Sequence, residues 1–222
     1  MGDGPDGHSL WPGFTNVPNE FLERYFPMII ERYESEPDSG GAGLHRGGNG
    51  INMVYSFTEA GTISIHDDRW FIPPWGVNGG KPGARSWKKL IRVDGSEQIL
   101  GSKVDDIKVE AGDKLHYVTW GGGGWGDPLE RAPELITLEI RQGLMTAEGA
   151  KSYGVVADSD GNVDAAATAS LRAEMRAARG PTELFDYGPS IKELRESCEA
   201  DTGLPAPEQP VWRNAPTQVA AE

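Results

Sequence analysis

The chain has 222 residues, 37% of them hydrophobic, and its seven Trp, six Tyr and six Phe predict a packed core rather than a disordered chain. Its 21 basic and 34 acidic residues give a net charge of −13, which argues against binding to nucleic-acid phosphates or anionic membranes. The single cysteine, Cys198, excludes an intrachain disulfide. No apolar stretch approaches the length needed to span a bilayer and no secretion signal is evident, so we expect an unexported, cytoplasmic protein.

The chain is predicted to begin with an irregular arm and a short helix. Residues Gly2 to Pro18 are rich in Gly, Pro, Asp and Asn and show no apolar period, which is typical of a loop. One or two helical turns are expected over Asn19–Phe26, with Asn19 as the N-cap, because Pro27 ends the element. A strand is then predicted over Met28–Tyr33.

Alternating apolar residues predict a series of strands after this point. The predicted strands cover residues 51–57, 61–66, 87–93, 98–100, 104–109 and 114–119. We expect the first two of them to pair through the turn around Glu59 to Gly61. Three Gly- and Pro-rich stretches, at residues 37–50, 73–83 and 120–128, separate these elements and are predicted to be structured loops.

Beyond Pro128 the pattern becomes helical, so the fold class is predicted to be α+β, a predominantly antiparallel β domain followed by a helical C-terminal part. Helices are expected over residues 133–141, from Thr146, over 165–179 with Asp164 as N-cap, and over 190–200, with a strand-like stretch at 154–156. The resulting division is a Gly-rich β domain with its arm (1–128), a helical region (129–200) and a Pro-rich tail (201–222).

The run Gly121-Gly122-Gly123-Gly124 is a candidate binding element. Successive glycine N–H groups can surround a phosphate or an oxyanion, because glycine lets the backbone approach a ligand closely. The run is equally typical of a tight turn between Trp120 and Trp125. The chain has no Gly-rich loop followed by Lys-Ser or Lys-Thr, so we expect no ATP contact on it.

Five further residues are candidates for binding or metal ligation. His66 is followed by Asp67 and Asp68, and an imidazole with two carboxylates is a weak candidate for a divalent metal, although such a cluster is also typical of a solvated turn. Trp75 beside Pro73-Pro74 suits a pocket wall, an interface or a core plug. His8 lies in the arm. His116 falls in a strand pattern and Cys198 in a helix, where we expect structural roles.

The order of motifs resembles the C-terminal region of the hydantoinase B/5-oxoprolinase family. The resemblance covers roughly residues 16–179 and rests on Arg32-Tyr33-Glu34, Pro37 to Gly43, Arg46 to Gly50, Pro73 to Gly76, Gly79 to Gly83, Gly121 to Pro128 and Tyr153 to Val156. Relatives in this family include N-methylhydantoinases, 5-oxoprolinases, cyclic-amide hydrolases, and acetone and acetophenone carboxylases.

The resemblance implies an ATP-dependent enzyme in which a hydantoinase A-like partner binds ATP and Mg²⁺. Family B-type chains are longer, and the N-terminal region that they carry in addition holds a His- and Asp-rich site for a divalent transition metal. We therefore expect a separate hydantoinase B-like N-terminal partner, and neither a complete active site nor a bound cofactor on this chain alone.

Three hypotheses follow for the function of the chain. The first is a site-completing subunit of a multi-subunit ATP-dependent carboxylase of the acetone or acetophenone type, or else of a hydantoinase- or oxoprolinase-type cyclic-amide hydrolase. The second is a non-catalytic assembly module of such a complex. The third is a free-standing sugar-binding β domain, suggested by the aromatic residues alone.

Overall fold

A computed structural model describes residues 2–8 and 16–208 of the chain. Its helices are α1 (Asn19–Tyr25), α2 (Pro133–Arg141), α3 (Ala165–Ala178) and α4 (Ile191–Thr202), with 3₁₀ turns at Pro128–Glu130 and Gly149–Tyr153. Its strands are β1 (Met28–Ser35), β2 (Ile51–Phe57), β3 (Gly61–His66), β4 (Gly76–Val77), β5 (Trp87–Ile91), β6 (Glu97–Ile99), β7 (Lys103–Val109), β8 (Lys114–Val118) and β9 (Phe185–Asp186). Antiparallel strands dominate the first part and three helices follow, which confirms the α+β prediction.

The strands form one five-stranded antiparallel sheet, in the order β1-β2-β8-β5-β6, and a separate β3-β7 ribbon. The main β core lies between them, because Phe57, Leu90 and Leu115 from the sheet pack with Ile65 and Val109 from the ribbon. Each of these five side chains is at most 8% exposed. Burial of this apolar surface holds the two layers together.

The predicted pairing of strands 51–57 and 61–66 is wrong. Strand β2 pairs with β1 and β8, whereas β3 pairs with β7 through Ile63 opposite Ile107. Alternation of apolar residues fixes which face of a strand is buried but not which strand lies beside it. At the end of β2, the Phe57 N–H donates to the Asp113 carbonyl and the Phe57 carbonyl accepts from Gly112, so β2 is already paired where the hairpin was expected.

A second core lies among the helices. Ile136 and Ile140 of α2 pack with Met145, Tyr153 and Val155, and Ala42 from the first Gly-rich loop joins them. The bounds predicted for α2 match the structure, and Gly143 follows its end with a φ of +71°. The first Gly-rich loop therefore packs against the helical part.

Several local predictions need correction. No side chain caps α1, whose N-cap position is Pro18 and not Asn19. The helix expected from Thr146 is a 3₁₀ turn over Gly149–Tyr153, which Gly154 ends with a φ of +65°. The strand predicted over 154–156 is absent. The sequence predicted a strand here because Val155 is apolar and β-branched, but its apolar side chain is fully buried in the helical core.

The later caps agree with the sequence. The Asp164 side chain accepts from the Ala167 N–H at the start of α3, as predicted. Helix α4 begins with a capping box between Ser190 and Glu193 and ends at Thr202, two residues beyond the predicted end. The predicted tail is described only as far as residue 208, and the rest of it and residues 9–15 lie outside the described part. The division into three domains stays a prediction.

Within the described residues, no helix has the length and apolar character required to cross a bilayer. A cytoplasmic location stays a prediction.

Candidate functional site

The three Gly-rich stretches meet backbone to backbone beside the sheet. A Cβ on Gly121 would lie 1.8 Å from the Ser39 carbonyl oxygen, and one on Gly123 would lie 1.8 Å from that of Trp75. A Cβ on Gly124 would lie 2.1 Å from the Ala42 carbonyl oxygen. Only glycine permits this approach, so the residue type is dictated by main-chain packing.

The N–H groups of the Gly121–Gly124 run are largely used inside the fold. Gly121 donates to the Ala84 carbonyl (3.2 Å), Gly122 to the Gly48 carbonyl (2.8 Å) and Gly124 to the Lys81 carbonyl (2.9 Å). A loop that binds phosphate leaves its N–H groups free for the ligand, but these three N–H groups already donate to carbonyl groups of the chain. The described residues of the run therefore do not fit a phosphate of ATP, and we assign no ATP contact to them.

The run instead fixes the backbone of Lys81. The Lys81 carbonyl accepts from Gly124, and the Lys81 N–H donates to the Ala42 carbonyl at 2.7 Å. Gly41 packs against the same segment, since its added Cβ would lie 2.1 Å from the Lys81 carbonyl oxygen. Both sides of Lys81 are thus held by glycine loops, while its ammonium lies 3.0 Å from a carboxylate oxygen of Asp186.

Lys81 lines a cavity of about 420 Å³. Pro128, Leu129 and Met175 supply apolar surface to it, and two ion pairs, Lys81–Asp186 and Arg179–Asp127, lie along it. The remaining lining residues are Gly79, Ser152, Gly180, Pro181, Thr182 and Glu183. We call this cavity the Lys81 cleft.

The carboxylate of Asp127 is held in place within the Lys81 cleft. One oxygen accepts from the Leu129 N–H at 2.9 Å, which caps the 3₁₀ turn, and the other accepts from the Arg179 guanidinium. Burial alone would raise the pKa of Asp127, but the hydrogen bond and charge of Arg179 outweigh it and lower that pKa. Asp127 is therefore a fixed negative charge at neutral pH.

A smaller cavity of about 150 Å³ shares Lys81 and Ser152 with the Lys81 cleft. Its walls include the buried side chains of Arg46, Asn49 and Tyr153. Burial raises the pKa of the Tyr153 phenol well above its usual range, so the hydroxyl stays protonated. Polar groups therefore continue from the Lys81 cleft towards the helical core.

Two buried arginines, Arg46 in the wall of this cavity and Arg131, form a charge network that the sequence did not reveal. Arg46 is 7% exposed and Arg131 1% exposed, and one carboxylate oxygen of Glu139 lies 2.7 Å from both guanidiniums. From the arm, Asp3 binds Arg131 and Asp6 binds Arg46, each through two hydrogen bonds. We call these five residues the arm clamp.

The arm clamp sets the position of residues 2–8. The Gly4 N–H donates to the Arg46 carbonyl, and the Gly7 N–H donates to that of Asn49, both at 2.8 Å. Burial alone would raise the pKa of Asp3 and Asp6, but their arginine partners outweigh it and lower both values. His8, a predicted binding residue, follows the clamp and is exposed.

The three weak metal candidates do not converge. His66 is exposed and lies 2.9 Å from Asp105, and Asp68 is exposed beside Lys103. Asp67 instead points into the interior, where one oxygen lies 2.6 Å from the fully buried Lys88 ammonium and accepts from the Ser86 hydroxyl at 2.5 Å. Across residues 2–8 and 16–208, no group of three or more His, Cys, Asp and Glu side chains could hold a metal ion.

Trp75 is 41% exposed on the surface. Its ring lies edge-on to Tyr187 at 5.7 Å, and the Arg69 guanidinium lies 5.1 Å from its centroid. His116 is in β8 as the pattern indicated, with its Nε2 2.9 Å from Asn52. Cys198 is buried in α4, 1% exposed.

Comparisons with known proteins point to one family. A family model described as hydantoinase B/oxoprolinase matches residues 1–128. The chain is 36% identical to the caprolactamase subunit beta of Pseudomonas jessenii over 160 residues, which cover 69% of this chain and 27% of that protein. The chain spans less than a third of the length of the curated relatives it matches.

Two solved structures share the fold. The crystal structure of the ATP-dependent caprolactamase from Pseudomonas jessenii superposes with a TM-score of 0.61 and 28% identity, over 77% of this chain and 32% of that chain. A nucleotide-free acetone carboxylase superposes with a TM-score of 0.66 and 22% identity, over 90% of this chain and 32% of that chain. The second likeness concerns the fold alone.

Proposed function

Because the chain belongs to the hydantoinase B/oxoprolinase family, we propose that it is a subunit of an ATP-dependent enzyme whose substrate is activated by phosphorylation. The observation that carries this proposal is its similarity to the caprolactamase subunit beta over 160 residues. In this proposal a hydantoinase A-like partner binds ATP and Mg²⁺. On this chain, three N–H groups of the Gly121–Gly124 run donate to carbonyl groups within the fold and are not free to bind phosphate.

The chemistry explains why such an enzyme consumes ATP. Transfer of a phosphoryl group onto an amide oxygen lowers the barrier to attack at the adjacent carbon, and transfer onto the enolate oxygen of a ketone holds the substrate as an enol phosphate whose β-carbon is the nucleophile. The attacking group is water in a cyclic-amide hydrolase, whereas in a ketone carboxylase the activated substrate reacts with a carboxylating species. Both reactions therefore require the same first step.

Hydrolysis of a cyclic amide is the reaction to test first. Similarity to caprolactamase extends to sequence, at 36% over 160 residues, whereas the likeness to acetone carboxylase is at 22% identity. Ketone carboxylation is the second candidate, because the order of motifs also resembles acetone and acetophenone carboxylases. A sugar-binding role has no comparable support.

A second partner, a hydantoinase B-like chain that corresponds to the N-terminal part of the relatives, completes the proposal. Exposed apolar side chains on α1 and β1 support contact with another chain: Phe21, Tyr25 and Phe26 are 49%, 64% and 50% exposed, and Ile29 is 50% exposed. Helix α1 has no buried residue, so its apolar surface contributes little within this chain.

The test is reconstitution with the two partner types. The chain is co-expressed with a hydantoinase A-like and a hydantoinase B-like N-terminal chain, purified through one tagged partner, and assayed for ATP-dependent opening of ε-caprolactam and hydantoin. Incorporation of labelled bicarbonate into acetone and acetophenone is measured in parallel. We expect a stoichiometric complex with ATP-dependent ring opening that is lost when this chain is omitted.

Each other outcome has a defined meaning. Carboxylation without ring opening favours the ketone carboxylase assignment. Full turnover without this chain, in a complex that still binds it, assigns it to assembly alone. Failure to enter any complex, with turnover of a substrate by the isolated chain, contradicts the proposal.

A further inference from the structure

The contents of the Lys81 cleft indicate what class of molecule it would bind. We propose that it binds a linear zwitterion, a small molecule with a carboxylate at one end and an ammonium at the other. Such a molecule is what water produces when it opens a lactam, so the inference rests on the proposed function and names a ligand for this chain's part in it.

Charges of both signs lie along the Lys81 cleft. Arg179 and Lys81 offer positive groups to a carboxylate, and Asp186 and Asp127 offer negative groups to an ammonium. Arginine binds carboxylates through two parallel hydrogen bonds, which makes Arg179 the stronger anchor. A ligand with one charged end uses only half of this arrangement.

The two existing ion pairs can exchange partners at low cost. The side chains of the Lys81–Asp186 pair are 56% and 32% exposed, and those of the Arg179–Asp127 pair are 41% and 19% exposed. An exposed pair such as Lys81–Asp186 contributes only about 0–1 kcal/mol, because water screens it. In the other pair Asp127 is also held by the Leu129 N–H, so the more exposed Arg179 side chain is the one that can turn to a ligand. A ligand that supplies the opposite charge in a better-shielded position can therefore displace the present partner.

The lining of the Lys81 cleft also includes apolar residues that a methylene chain could contact. Leu129 is 2% exposed and Pro128 is buried, while Met175 is half-buried at the same wall. A volume of about 420 Å³ is adequate for a short linear molecule, within the usual range of ligand pockets. The glycine loops fix the backbone of Lys81, so little ordering of that wall is required on binding.

The experiment measures binding of 6-aminohexanoate to the purified full chain by titration calorimetry and ligand-observed NMR at low salt. Hexanoate and hexylamine are the matched probes with a single charge. We expect a Kd for 6-aminohexanoate of about 1 mM, typical of a ligand with so few heavy atoms. Each singly charged probe should bind at least about tenfold more weakly, since it loses one charged contact.

Variants locate the binding. Arg179→Gln should raise the Kd at least about tenfold, and Lys192→Gln, which alters a lysine 83% exposed on α4, should leave it unchanged. Ser152→Trp changes an exposed residue of the cleft lining and should block entry, which provides a second reading if Arg179→Gln disturbs the fold.

Three results would overturn the inference: no detectable binding of 6-aminohexanoate, equal binding of all three probes, or binding that both Arg179→Gln and Ser152→Trp leave intact. The inference and the proposed function can fail separately. Ring opening by the reconstituted complex without binding here defeats the inference alone, and binding without any turnover defeats the proposed function alone.

Discussion

Replacement of Glu139 by Gln tests whether the arm clamp stabilises the fold. The Glu139 carboxylate lies between two guanidiniums, with one oxygen 2.7 Å from Nε of Arg46 and 2.7 Å from Nη2 of Arg131. All three side chains are at most 7% exposed. Gln keeps the shape of the side chain but removes the negative charge and can direct an N–H₂ group at a guanidinium.

The expected loss follows from the burial of the network. Removal of one partner from a buried ion pair costs about 3–5 kcal/mol, because the remaining charge is left without compensation. Here Asp3 and Asp6 still bind the outer sides of the two arginines, so two negative charges remain for two positive ones. We therefore expect the lower end of that range, about 3 kcal/mol.

The assay is urea unfolding followed by circular dichroism at pH 7, with Glu134→Gln as the control. Glu134 lies on the same helix but is exposed, and its replacement should change the free energy of unfolding by less than about 0.5 kcal/mol. For a chain of this length, 3 kcal/mol corresponds to a fall in Tm of roughly 6–12 °C. A loss below about 1 kcal/mol with an unchanged m-value would refute the reasoning.

Three further predictions concern charges and glycines. Asp6→Asn should lower the free energy of unfolding by about 1–3 kcal/mol at pH 7. Because the folded pKa of Asp6 is lowered, that contribution is present above its unfolded value near 3.9 and is lost as the pH falls through the folded pKa, so unfolding curves at pH 3 should differ less than those at pH 7. Gly121→Ala should lower the free energy of unfolding by more than about 3 kcal/mol or prevent folding. Gly180→Ala should be tolerated, because no atom lies within 4 Å of the added Cβ. The expression level and the Tm of each variant test this prediction. Lys88→Met should lower the free energy of unfolding by about 3–5 kcal/mol, because it leaves the buried Asp67 charge without its partner. The double variant with Asp67→Asn should recover part of that loss in the same urea assay.

Much of the secondary structure could be predicted from the sequence. Helix α2 has its predicted bounds because Pro133 starts it and Gly143 follows its end. The strands of the main sheet were found by their alternation, but their partners were not. The predicted pairing of β2 with β3 is wrong because the alternation through Ile63 and Ile65 fits a pairing with β7 equally well.

The candidate site was less predictable, because its contacts join distant parts of the chain. The Asp3–Arg131 bond spans 128 positions and the Arg46–Glu139 bond spans 93, and no periodic pattern connects such residues. Helical spacing places Glu139 beside Ile136 and Ile140 on the buried face of α2, but the sequence does not show which basic residues meet it there. A buried charge is visible in a sequence only when its partner is local.

The arm clamp supplies stabilising contacts that the glycine loops cannot provide through apolar side chains. Backbones that approach as closely as those of Gly121 and Ser39 exclude side chains, so this region gains little from apolar burial and loses more conformational entropy on folding than other residues would. Directional contacts must replace apolar ones: hydrogen bonds such as Gly124 to Lys81 fix the loops, and the charges of Arg46 and Arg131 join the loops, the arm and α2. Such contacts specify one arrangement, whereas apolar packing tolerates several. A wall built in this way keeps Lys81 in place while the exposed ends of its ion pair stay free to exchange, which is the combination that a binding cleft requires.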